Sequence, residues 1–183
     1  MKRMVLLILT AALLLTLTAC GARQEPLETW PISFNDSMMG IYAKPYDTVD
    51  SMLAEEHIIF HGKAVSLVEE KEYGVILELE PIDTTGDVSG NIYIRQMKNE
   101  DFLLKRGEEA VLILHPGYGD GIWEVFNDTC GMFRIDEKTG DLTGVRLDSL
   151  LESVPQTYSA KGGKDLTLEQ VYDLLVELDN SGE

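Results

Sequence analysis

Short β-strand signals recur between residues 58 and 147, separated by turn residues. The stretch IIFHGKAVSLVEE at 58–70 is rich in β-branched residues, and YGVILELE at 73–80 alternates apolar with acidic side chains. Further strands are predicted at NIYIRQM (91–97), EAVLILH (109–115), GIWEVFND (121–128), GMFRID (131–136) and DLTGVRL (141–147). EAVLILH does not alternate, which indicates burial on both faces. Short strands at this spacing predict a mainly β fold, a small antiparallel barrel or sandwich of about six strands.

Helical patterns flank the strands. TVDSMLAEE at 48–56 places its apolar residues on one side, which predicts a short N-terminal helix. Thr167 and Gln170 have the spacing of a capping box, and an apolar stripe follows, which predicts an amphipathic C-terminal helix over 166–180. An isolated helix of this length is only marginally stable in water, and we therefore expect it to pack on the barrel. NEDFLLKRGEE predicts one helical turn before the fourth strand, and this order of elements resembles an OB-like barrel.

The chain opens with a positively charged and then apolar segment. Lys2 and Arg3 precede a run from Met4 to Leu15 that only Thr10 interrupts. This run is shorter than the roughly 20 residues that span a bilayer. A positive start, a short apolar run and small residues before a cut are typical of a secretory signal peptide. An uncleaved signal anchor is the alternative.

The sequence Leu17-Thr18-Ala19-Cys20 resembles the lipobox of bacterial lipoproteins. The resemblance implies diacylglyceryl transfer to the Cys20 thiol, cleavage after Ala19, and acylation of the new amino terminus by a chain such as palmitate. Two or three acyl chains anchor stably. The implied location is the extracytoplasmic face of the cell membrane, with membrane lipid as a partner through Cys20.

The predicted organisation has five parts. A signal peptide covers 1–19, the lipidated Cys20 and a tether cover 20–45, and the β-barrel domain covers 46–150. A flexible connector is predicted at 151–165, before the helix at 166–180. Within the tether, Trp30, Phe34 and Ile41 are candidates for docking on the domain.

The mature chain is strongly acidic. Removal of residues 1–19 takes Lys2 and Arg3 from the 15 basic residues and none of the 32 acidic ones, which leaves a formal charge of −19. Nucleic acid is therefore not an expected partner. Once Cys20 carries lipid, Cys130 is the single remaining cysteine, so no intramolecular disulfide is possible and the core must hold the fold unaided. The domain is expected to be a monomer.

A search for catalytic and metal-binding patterns gives no site. His57 and His61 have a zinc-like spacing, but a β-strand would place them roughly 13 Å apart, too far to share one ion. The stretch 115–133 contains four residues that are close in sequence, His115, Asp120, Asp128 and Cys130. They are candidates for metal ligands or for a Cys–His nucleophile pair. PGYGDG within it is typical of a hairpin turn, which favours a structural role. No catalytic, cofactor or metal residues are therefore predicted, and Tyr118, Asp120 and Trp123 form a candidate ligand rim.

Three stretches, TVDSMLAEEHIIFHGKAVSL, FLLKRGEEAVLIL and GMFRID, resemble uncharacterised surface lipoproteins of Gram-positive bacteria. The shared features are a strand carrying Gly62, the pair Gly107-Glu108 before an aliphatic strand, and a hairpin that ends in Gly131-x-Phe133. The resemblance implies an extracytoplasmic β-domain and transfers no site residues. We expect a non-catalytic binding or accessory domain for an envelope protein or glycan. The alternatives are a hydrolase outside the cell and a sensor that binds a metal or small ligand.

Overall fold

Seven strands and three helices make up the part of the chain that the computed structural model describes, residues 27–34, 46–119, 121–153, 163 and 165–182. The elements in chain order are α1 (Val49–Leu53), β1 (Ile58–Glu70), β2 (Gly74–Thr84), β3 (Ile92–Met97), β4 (Glu109–Pro116), β5 (Ile122–Val125), a 3-10 turn (Phe126–Asp128), β6 (Met132–Ile135), β7 (Leu142–Gly144), α2 (Leu147–Ser153) and α3 (Leu168–Ser181). The mainly β prediction with a short N-terminal and a C-terminal helix is confirmed.

Five of the strands close into a barrel. β1 pairs with both β2 and β4, β2 pairs with β3, and β5 lies between β3 and β4. β6 pairs with β4 and carries β7 as a two-stranded extension. Of the two predicted architectures, barrel and sandwich, the structure has the barrel.

One strand pair of the barrel is parallel, although the sequence predicts an antiparallel sheet. β3 and β5 run in the same direction, with Ile94 opposite Trp123, and every other pair is antiparallel. Strand direction cannot alternate all the way around a closed ring of five strands, so at least one parallel pair is required. The barrel is therefore mixed.

The apolar residues form two clusters that share the barrel wall. The inner core fills the barrel, and the outer core lies between the barrel, α1, α2 and α3. β4 contributes to both, as its unbroken apolar run predicts: Ala110, Leu112 and Leu114 belong to the inner core, and Val111 and Ile113 to the outer. The wall between the two clusters is buried on both sides.

The C-terminal helix begins where the sequence predicts. Thr167 Oγ1 accepts a hydrogen bond from the Gln170 amide at 3.2 Å, and Gln170 Oε1 accepts one from the Thr167 amide at 3.0 Å. Val171, Leu174 and Leu175 are buried against the outer face of the barrel. Packing on the barrel supplies the stability that an isolated helix of this length lacks.

The structure describes the region around the predicted C-terminal boundary of the barrel domain and part of the predicted tether before its N-terminal boundary. α2 crosses the predicted boundary at residue 150, and both Leu150 and Leu151 are buried in the outer core. The predicted signal peptide, Cys20 and the first tether residues fall within residues 1–26, which lie outside the described residues. Ile41 lies in a second range outside them, residues 35–45. The part of the predicted tether that the structure describes, residues 27–34, packs on the barrel.

Candidate functional site

A groove of about 1390 Å³ opens on the outside of the barrel. The outer faces of β1, β2 and β4 form its floor, and the β6–β7 turn and the start of α3 form its walls. Nine of the residues that line it are Asp or Glu, against Lys63, Lys138 and His61. We call it the acidic groove. Its volume exceeds the roughly 300–1,000 Å³ of typical small-molecule sites.

His61 is the buried centre of the groove floor, with 6% of its surface exposed. Its Nε2 lies 2.8 Å from Glu109 Oε1, and Asp83 stands opposite it in the β1–β2 register. Tyr172 of α3 lies beside the imidazole, with 6.2 Å between ring centroids, and its hydroxyl donates to Asp83 Oδ1 at 3.3 Å. Four elements therefore meet in one polar cluster.

The environment of Tyr172 keeps its hydroxyl protonated. Burial raises the pKa of Tyr172 to about 12, and the neighbouring Asp83 carboxylate adds to the rise. Both effects disfavour the phenolate, because it would be poorly solvated and next to a like charge. At neutral pH the Tyr172 hydroxyl is therefore a hydrogen-bond donor that ties α3 to β2.

The groove floor holds an imidazole and a carboxylate in contact, the arrangement of an oriented general base. An acyl- or glycosyl-transfer mechanism with a covalent step also needs a nucleophile near the imidazole. The hydroxyl groups among the groove-lining residues belong to Thr167 and Tyr172. Thr167 caps α3 and Tyr172 binds Asp83, so both hydroxyls have structural partners. The arrangement provides charge and hydrogen bonding, and both of its hydroxyl groups are engaged in structural hydrogen bonds.

An ion cluster lies at one end of the acidic groove, around the buried Glu108. Burial raises the pKa of the Glu108 carboxyl, against the opposing effects of the Lys105 amide and the Arg134 guanidinium. Glu108 Oε2 accepts from the Lys105 amide at 2.7 Å, and Arg134 Nη1 lies 3.3 Å from its other oxygen. Lys105 in turn pairs with Glu137 through its ammonium group.

This ion cluster also fixes the segment that leads into the barrel, residues 27–34, which we call the strap. The Leu27 amide donates to Glu137 Oε1 at 3.1 Å, and the Arg106 amide donates to the Glu28 carbonyl at 3.0 Å. Trp30 is 3% exposed and belongs to the inner core. Its indole Nε1 donates to the Leu104 carbonyl, and the Arg106 guanidinium lies 5.2 Å from its ring centroid. The strap is therefore part of the folded domain.

The structure describes two residues of the predicted ligand rim, Tyr118 and Trp123, and they differ in exposure. Tyr118 is 85% exposed in the β4–β5 turn, and its carbonyl accepts from Arg95 Nη2 at 2.9 Å. Trp123 is half-buried and packs against the inner core, because alternation along β5 directs it into the barrel. Asp120 lies outside the described residues. Tyr118 is thus the described rim residue that is fully available to a partner.

The other candidate residues of the sequence have structural surroundings. His115 packs against the Phe126 ring with 4.8 Å between centroids, and Cys130 is buried in the outer core. Asp120 and the side chain of Asp128 lie outside the described residues. His57 precedes β1 and lies 3.4 Å from Asp179, whereas His61 pairs with Glu109, so the two imidazoles have separate partners. Among the described residues, no three His, Cys, Asp or Glu side chains gather in a metal-binding arrangement.

Comparisons with known proteins identify no relative. No protein-family model, curated protein or solved structure matches this chain. Among the described residues, none of the helices has both the length and the apolar character that a membrane-spanning segment needs.

No sequence pattern groups the residues of the acidic groove. His61 appears in the sequence as half of a zinc-like pair, and Asp83, Glu109 and Tyr172 carry no motif. They meet because β1 pairs with β2 and β4 in a particular register, and because α3 docks on the outer face of that sheet. Periodicity gives the face of each residue and leaves its neighbours on other strands undetermined. The Trp30 contact agrees with the expectation that this residue docks.

Proposed function

We propose that the chain is a bacterial lipoprotein, held at the extracytoplasmic face of the cell membrane by lipid on Cys20, whose barrel is a non-catalytic binding or accessory module. The observation that carries the proposal is the docked strap. Leu27 is already bound to the domain by Glu137, only seven residues after Cys20. A folded module that begins so close to the lipobox is suited to work beside the membrane.

The site chemistry supports binding through charge and hydrogen bonds. In the acidic groove the buried His61 contacts the exposed Glu109, and the two hydroxyl groups that line the groove are engaged in structural hydrogen bonds. A mature charge of −19 disfavours polyanionic partners such as nucleic acid. The partner we propose is an envelope protein or a glycan.

Mass spectrometry of the full-length protein from a bacterial host tests the anchor. The mature chain should begin at Cys20 and carry a diacylglyceryl group on its thiol. Cys20→Ala should leave the protein unprocessed or release it from the membrane, and Cys130→Ala is the matched control that should stay anchored. Membrane-bound protein with an unmodified Cys20 would contradict the proposal.

A second measurement tests the non-catalytic assignment. The purified protein should not turn over chromogenic esters or glycosides. Turnover that His61→Ala abolishes and His115→Ala preserves would favour the hydrolase alternative. A melting temperature that rises with zinc or calcium and falls again with a chelator would favour the sensor.

A further inference from the structure

We draw no further inference here: the strongest candidate, the acidic groove on the outside of the barrel, is a cluster of carboxylates, and nothing else in the part of the chain that the structure describes points to a ligand that would occupy it.

Discussion

The indole Nε1 of Trp30 donates a hydrogen bond of 2.6 Å to the carbonyl oxygen of Leu104, 74 residues further along the chain. Trp30 belongs to the inner core and is 3% exposed, so the strap closes the barrel with one of its own side chains. The contact joins the first described segment of the chain to the loop between β3 and β4. The barrel therefore depends on residues that precede the continuous β region.

Trp30→Ala should lower the free energy of unfolding by about 3–5 kcal/mol, the usual cost of emptying a buried tryptophan site. Denaturant unfolding of the two proteins measures the change. Tyr118→Ala is the control, because an exposed aromatic away from packed contacts should change stability by no more than about 0.5 kcal/mol. Equal effects of the two substitutions would contradict the role of Trp30 as a core residue.

Phe126 should be as costly to truncate as Trp30, whereas Trp123 should cost less. Phe126 is 1% exposed, and the rings of Tyr46 and His115 each lie 4.8 Å from it between centroids. Phe126→Ala should lower stability by about 3–5 kcal/mol. Trp123 is only half-buried, so less of its apolar area returns to water. A larger loss for Trp123→Ala than for Phe126→Ala in thermal or urea melts would contradict the assigned burial.

Gly62 should not tolerate even one added carbon. A Cβ at this position would lie 2.3 Å from the Phe60 ring and 2.6 Å from the Glu80 carbonyl oxygen. Gly62→Ala must displace the strand pair, and overpacking of this kind costs about 1–3 kcal/mol. Gly182→Ala is the matched control, because its nearest neighbour would be at 3.7 Å. Urea unfolding should separate the two variants, and similar midpoints would contradict the close approach.

The sequence predicts the elements of this fold better than it predicts their neighbours. The apolar run of β4 indicated burial on both faces, and the spacing of Thr167 and Gln170 indicated the start of α3. Barrel closure depends on β1 pairing with β4, residues about 50 positions apart, and no local pattern encodes that pairing. The acidic groove follows from the same long-range register, so its residues could not be grouped beforehand.

Glu108→Gln should change how stability depends on pH. Because burial raises the pKa of Glu108, this carboxyl favours the folded state below its unfolded pKa near 4.5, and the contribution is lost as pH rises through the folded value. The stability of the wild type relative to Glu108→Gln should therefore fall between pH 4.5 and neutrality. The glutamine retains an acceptor for the Lys105 amide, which limits other changes. Parallel urea titrations over this range measure the difference, and a rising difference would contradict the assigned shift.

The wild-type protein should lose stability at alkaline pH because of Tyr172, and Tyr172→Phe should abolish that loss. The folded pKa of Tyr172 is about 12 against an ordinary value of 10.0, so the unfolded chain ionises first as pH increases. The tyrosine contributes fully below pH 10, and its contribution falls as pH rises to about 12, because proton release favours the unfolded state. Phenylalanine has no proton to lose, so the stability difference between wild type and variant should depend on pH only within this window.

The variant also loses the 3.3 Å hydrogen bond to Asp83, a constant offset at neutral pH. Ultraviolet difference spectra follow phenolate formation directly, and ionisation of Tyr172 near pH 10 in the folded protein would contradict its burial against Asp83.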